Sequence, residues 1–250
     1  MDALFENLLW IYFALAPITL GVLLLISAPY GRHNRTGWGP QVPVRVGWLI
    51  MEIPTIVVFA VVFLMGDNRM GLASLVMAGM WYHHYVYRTF IFPRRLQTTG
   101  KTMPLFIGLI AFVVQSINAS LQAWWLAQLG DYPASWLMGP QFVIGAVVFV
   151  LGMRINRQSD NILLSLREPG SSGYRIPHGG MFRYVSAPNY LGEILEWIGW
   201  AIATWSLPGL AFALYTTANL LPRALTNHRW YQEKFPDYPP ERRALIPGVL

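Results

Sequence analysis

Cysteine is missing altogether from the 250 residues. That removes disulfides, thiolate nucleophiles, iron–sulfur ligation and zinc–thiolate sites in one step. Charge is scarce as well: Asp, Glu, Lys and Arg make up 12% of the chain, against roughly 25% in an ordinary soluble domain. So few charges cannot cover a soluble surface. No G-x-G-x-x-G, Walker sequence, H-E-x-x-H or G-x-S-x-G occurs. A nucleotide, if one binds, therefore binds without a Rossmann domain, and no soluble stretch is long enough to build one. Internal repeats and low-complexity segments are also lacking.

What the chain has instead is apolar bulk. Hydrophobic residues make up 54% of it, in long charge-free blocks. A spanning helix needs about 20 mostly apolar residues. Five stretches qualify: 7–28, 46–66, 70–87, 102–130 and 132–153. A sixth block, 197–222, is interrupted by Ser206-Leu207-Pro208. The polar residue plus proline predicts a tight turn between helices over about 188–206 and 208–222. The chain reads as an all-α integral membrane protein, a single domain built as a seven-transmembrane helix bundle.

Charges in the connections give the orientation. Segment by segment they run −2 at the N-terminal tip, +3 over 28–45, zero around Asp67 and Arg69, and +4 over 88–101. Then come −1 at Asp131, +3 over 154–188, zero at the Ser206 turn and +2 from Arg223 onward. Positive and non-positive segments alternate throughout, which places the N-terminus outside and the C-terminus in the cytoplasm. The first apolar run reads as a span rather than a cleaved signal peptide, because Asp2 and Glu6 lead it and no small-residue cleavage site follows. The basic balance needs no nucleic-acid partner, since the excess sits in cytoplasmic connections.

Several polar residues stand out against this background. Glu52 lies inside the second span, where a carboxylate costs about 2.5–3.5 kcal/mol on insertion scales. Such a residue is functional, or a structural carboxyl hydrogen-bonded to another helix, or one snorkelling to the interface. Met80 to Arg88 packs Trp81, Tyr82, Tyr85 and Tyr87 around His83 and His84. For most of these residues an aromatic belt at the cytoplasmic interface is the simpler reading. Adjacent histidines cannot face one metal from a helix, so no metal is expected. Asn156, Asp160 and Arg167 share a face of a helix leaving the membrane and broken at Glu168-Pro169-Gly170. Taken alone, that face reads as solvated. Asn189, Glu193 and Glu196 form a second stripe, whose carboxyls would repel unless protonated or paired with arginine.

The C-terminal hundred residues carry LGMRINRQSDNILLSLREPG, YRIPHGGMFRYVSAPNYLGEILEWIGWAIATWSLP and HRWYQEKFPDYPPERRALIP, and upstream lie APYGRH, MEIP and HHYVYRTF. In this order and spacing the strings resemble the steroid 5α-reductase family over essentially the whole chain. Weaker kinship extends to sterol-ring reductases and isoprenylcysteine methyltransferases. The resemblance implies NADPH-dependent reduction of the double bond of a 3-oxo-Δ4-steroid. The apolar steroid would reach the site from the bilayer. It implies catalytic roles for Glu52 and Tyr85, and cofactor contacts from Tyr30, Arg88, Asn156, Asp160, Arg167, Tyr174, Asn189, Glu193, Arg223 and Tyr231. The resemblance departs at two points. The connection leading to Lys101 is longer than the family pattern, and Thr226-Asn227-His228 stands where a run of histidines is common. Lys101 and Asn227 join the cofactor set with their pairing to family positions left open.

On this reading residues 1–100 serve mainly substrate and catalysis, and 101–250 mainly NADPH. The host membrane would be the endoplasmic reticulum in a eukaryote or the inner membrane in a bacterium. Arg side chains suit the cofactor's phosphates, so the basic segments would serve topology and anion binding together. Rival readings are an enoyl-thioester or polyprenol reductase, a methyltransferase, and a non-catalytic sterol-binding protein. An intramembrane Glu–Tyr pair has no use in methyl transfer.

The charge alternation makes a direct prediction. Reporter fusions should place the N-terminus outside and the C-terminus in the cytoplasm; both ends on one side would exclude an odd number of spans.

Overall fold

A computed structural model of the chain describes residues 2–29, 31–33, 37–98, 100–166 and 173–250. Among them are seven helices of at least 15 residues. They are α1 (Asp2–Leu25), α2 (Val44–Met65), α3 (Leu72–Val86), α4 (Leu105–Trp124), α5 (Pro140–Ser165), α6 (Pro188–Thr204) and α7 (Leu207–Lys234). Two of them change pitch. α3 runs through a π-helical turn, Tyr87–Ile91, into a last turn, Phe92–Arg95, and α4 ends in a π-helical turn, Trp125–Leu129. A short antiparallel pair, β1 (Gln41–Pro43) with β2 (Thr102–Pro104), ties the start of α2 to the start of α4.

Three helical stretches are long and apolar enough to cross a membrane: Ala3–Leu25, Val44–Met65 and Leu105–Leu129. Leucine and valine side chains such as Leu25, Val61, Leu64, Val147 and Leu214 point outward, as a lipid-facing surface requires.

Local chemistry sets most of the boundaries. Proline occupies the first turn of α5, α6 and α7, where its missing N–H costs nothing. The turn expected at Ser206-Leu207-Pro208 is present. Trp205 takes a left-handed conformation at φ 45° to end α6, and the Ser206 hydroxyl accepts from Gly209 N–H at 3.0 Å to start α7.

Two expected spans shift. The stretch beginning at 132 first forms a short 3-10 helix, Ala134–Met138, and becomes α-helical only at Pro140, because Tyr132 is held elsewhere. Its hydroxyl donates to the Thr204 carbonyl at 2.6 Å and accepts from Trp125 Nε1 at 2.7 Å. Residues 102–104 go to β2, so α4 begins at Leu105.

The aromatic run of α3 also corrects the interfacial reading. Trp81 and Tyr85 are buried, Tyr82 and Tyr87 are half-buried, and His83 and Val86 face out between them. Trp81 is the hub. Its ring lies 4.9 Å from Phe59, 4.5 Å from Tyr85, 5.6 Å from Trp197 and 5.5 Å from Trp200. Its indole N–H donates to the Thr55 carbonyl at 2.8 Å, which pins α3 to the turn of α2 that carries Glu52. An indole in lipid must satisfy its N–H, and turning inward does so.

Helices α5 and α6 approach more closely than side chains would allow. A Cβ on Gly145 would come within 2.3 Å of Ala203 N, and one on Gly152 within 2.3 Å of Glu196 N. On the facing helix, a Cβ on Gly192 would stand 2.4 Å from Asn156 N, and one on Gly199 2.3 Å from Phe149 N. These glycines recur every seven residues on each helix, a small-residue seam of the kind that drives packing in lipid.

Gly192→Ala should therefore force the helices apart and cost at least about 1–3 kcal/mol, lowering the thermal midpoint in detergent. Gly21→Ala, with nothing within 4 Å of the new carbon, should not. Equal midpoints for the two variants would show that the seam is not tight.

Candidate active site

A cavity of about 610 Å³ runs between the helices, within the range of small-molecule and cofactor sites. Its apolar end is walled by Met51, Ala111, Val114, Trp197 and Phe212, and this end also presents Glu52, Tyr85 and Gln115. Its polar end collects Arg88, Lys101, Asp160, Tyr174, Asn189, Glu193, Arg223, Asn227 and Tyr231. Eleven of the residues singled out in the sequence thus line one space. Asn156 stands just behind it. Tyr30 and Arg167 lie outside the described residues.

Tyr85 is clamped on three sides. Its ring stacks on Trp197 at 5.5 Å, tilts against Trp81 at 4.5 Å and meets the edge of His84 at 4.8 Å. Glu52 is buried in α2 and faces the same space. The Thr55 hydroxyl caps its backbone carbonyl at 2.6 Å, within the turn occupied by Pro54.

The π-helical turn after α3 places Arg88. Its own carbonyl accepts from Trp48 Nε1 at 2.8 Å. Its guanidinium lies over the rings of Trp48 and Phe92, at 5.0 and 4.8 Å. Held this way, it reaches Asp160 at 3.4 Å and Glu193 at 3.7 Å. A π-turn inside an α-helix often marks a functional position.

The face of Asn156 and Asp160, which alone reads as solvated, is buried instead. The glycine seam presses it against α6. There Asn156 Nδ2 donates to the Asn189 carbonyl at 2.9 Å and to Glu193 Oε2 at 3.4 Å. Asn156 is thus a brace for Glu193 rather than a cavity wall. Glu196 pairs not with arginine but with His84, Nδ1 to Oε1 at 2.8 Å, with both residues buried.

Beyond the membrane-facing part, aromatic and basic groups from α7 close the polar end. Arg223 lies over Tyr190 at 5.1 Å, Tyr174 meets Trp230 at 4.9 Å, and Tyr231 stacks on Tyr238 at 5.2 Å. His33 Nε2 is 3.3 Å from Asn227 Oδ1. His228 Nδ1 is 2.6 Å from Ser186 Oγ. Burial, with Arg243 nearby, holds the His228 imidazole below its ordinary value.

The donor set suits a nicotinamide dinucleotide. Arg88, Lys101 and Arg223 would offer cations to its phosphates, and Asp160, Glu193, Asn189 and Asn227 would offer carboxylates and amides to its other polar groups. Among the described residues no group of three or more His, Asp or Glu could hold a metal ion.

Residue-type reasoning missed Gln115, the His84–Glu196 pair and Trp197. Gln115 had a readable signal: Gln115, Asn118 and Gln122 share one face of a mostly apolar span.

A family model described as 3-oxo-5-alpha-steroid 4-dehydrogenase matches residues 101–250. Among curated relatives, steroid 5-alpha-reductase DET2 of Arabidopsis thaliana is 43% identical over 97% of this chain and 95% of its own length. 3-Oxo-5-alpha-steroid 4-dehydrogenase 1 of Bos taurus is 38% identical over 99% of this chain and 97% of its own length. 3-Oxo-5-alpha-steroid 4-dehydrogenase 2 of Sus scrofa is 43% identical over 92% of each.

Proposed function

This chain belongs to the 3-oxo-5-alpha-steroid 4-dehydrogenase family of membrane enzymes, and we propose that it reduces the Δ4 double bond of 3-oxo-Δ4-steroids with NADPH. The observation that carries this reading is the joined cavity, apolar where Glu52 and Tyr85 stand and cationic where α5, α6 and α7 converge. An apolar steroid enters from the bilayer into the first part. The phosphates of NADPH face Arg88, Lys101 and Arg223 in the second, and Asn189, Glu193, Asn227 and Tyr231 engage its polar groups. Residues 1–100 thus serve chiefly the steroid, and 101–250 chiefly the cofactor. The seven long helices are seven spans, with the N-terminus outside.

When bound, the cofactor supplies a hydride to the carbon β to the ketone. The protein's part is to manage the charge that appears on the ketone oxygen. Tyr85 donates its O–H to that oxygen as an oxyanion hole would, where water is excluded and such a bond is strong. Its ring cannot swing away, because Trp81, Trp197 and His84 enclose it. Glu52 tunes and orients the hydroxyl, which explains why a carboxylate is kept inside a span.

Glu52→Gln should lower kcat for steroid while the protein stays folded and binds NADPH. Tyr85→Phe should cost at least as much, about 100- to 1,000-fold in kcat. The double variant should be little worse than Tyr85→Phe alone, since residues acting as one unit are not additive. Near-normal turnover of Glu52→Gln would remove this acid from the mechanism, and multiplying losses would assign the residues to separate steps.

A further inference from the structure

The catalytic pair is backed by a line of amides along α4. Gln115, Asn118 and Gln122 occupy one face of a helix whose other polar side chains, Ser116 and Ser120, bond back to the helix's own carbonyls. Asn118 and Gln122 are buried, while Gln115 opens onto the cavity.

An amide can point either way round, so its partners must decide which end is which. Here both anchors of the line are unambiguous. Trp200 Nε1 can only donate, and it reaches Gln122 Oε1 at 2.9 Å. The Pro208 carbonyl can only accept, and it takes Gln122 Nε2 at 2.8 Å. Gln122 is therefore fixed, and its Nε2 also donates to Asn118 Oδ1 at 3.1 Å. With its oxygen engaged, Asn118 turns its Nδ2 toward Gln115 Oε1, at 3.5 Å. Gln115 is left with its oxygen facing the helix and its two N–H protons facing the cavity. The side chain lines the same cavity as the Glu52 carboxyl and the Tyr85 hydroxyl.

We propose that Gln115 is a positioning residue for this reaction, set by the Trp200–Gln122–Asn118 line so that its amide donates to both Glu52 and Tyr85. The consequence concerns the direction of one proton. A tyrosine oxygen that accepts from Gln115 keeps its own O–H free to turn to the ketone. A carboxylate oxygen that accepts from Gln115 is engaged by the amide instead of by the tyrosine proton. The amide thus couples the acid to the phenol, and the remote Trp200 and Pro208 determine its polarity. A hydroxyl or a reversed amide at this point would let Tyr85 spend its proton on the protein instead of on the substrate.

This inference rests on the enone-reductase reading, so the test begins with wild-type steroid turnover. Gln115→Met keeps the length and removes the donors. It should lower kcat about 10- to 100-fold, the loss expected for one charge-assisted hydrogen bond, with steroid KM and NADPH affinity unchanged. Combined with Tyr85→Phe, it should add little to the loss from Tyr85→Phe alone. Asn118→Leu never touches the cavity, yet it should lower kcat in the wild-type background and have no further effect on Gln115→Met. If Asn118→Leu fails to bind NADPH, the Gln115–Tyr85 cycle decides alone. An active wild-type protein with Gln115→Met turning over equally well overturns the positioning role and leaves the reductase reading standing; so do losses that multiply between Gln115→Met and Tyr85→Phe. A wild-type protein inert toward every enone overturns both.

Discussion

Between α5 and α6 main chain rests on main chain, because Gly145, Gly152, Gly192 and Gly199 leave no side chain to intervene. This contact sets where everything polar in the lower half of the molecule can stand. It buries Asn156 and Asp160 on α5 against Asn189 and Glu193 on α6, at distances that let Asn156 bond across the seam. Helices separated by ordinary side chains would leave those groups apart, and water or lipid would fill the gap. The same closeness brings two carboxylates to the guanidinium of Arg88. Their charges, costly in isolation in a low-dielectric interior, are then compensated in part by the one guanidinium.

The upper half follows a different logic. There the interior is aromatic, and Trp81 holds Phe59, Tyr85, Trp197 and Trp200 around itself. A phenol enclosed by rings has little orientational entropy left to lose when it forms a hydrogen bond, which is what preorganisation means energetically. The two halves meet at α6. Its Trp197 stacks on Tyr85, and its Glu196 holds His84 one residue before that tyrosine on α3. A shift of α6 against α5 would be felt at once by the Tyr85 ring that lines the cavity. Stability of the seam and geometry of the phenol are therefore one property.

Much of this was legible in the sequence, and unevenly so. The seven helices follow from apolar length and from Ser206-Pro208, since a spanning helix must satisfy its own backbone whatever surrounds it. Glu52 announced itself by its cost in lipid. Boundaries failed where tertiary bonds outbid apolarity, as at Tyr132, or where a helix continued past Pro222 into the polar stretch to Lys234. The pairing of β1 with β2 joins residues about sixty positions apart, and no local pattern predicts it. Trp81 looked interfacial because its composition suits an interface; only the partner carbonyl of Thr55 shows why it turned inward. The clustering of Arg88, Asp160, Asn189, Glu193, Arg223 and Asn227 followed from family resemblance rather than from spacing, because they are spread over four separate elements. Gln115 escaped notice although its spacing with Asn118 and Gln122 was plain, since single amides in a span attract less attention than charges.

The account stands or falls on whether the two parts of the cavity work as one reductase site. The most direct measurement incubates the purified protein with a 3-oxo-Δ4-steroid and NADPH fully deuterated at nicotinamide C4, then locates the label in the product. The account predicts a saturated 5α-ketone carrying deuterium on the carbon β to the carbonyl. Consumption of the steroid without label at that carbon, or label at the α carbon instead, would contradict it.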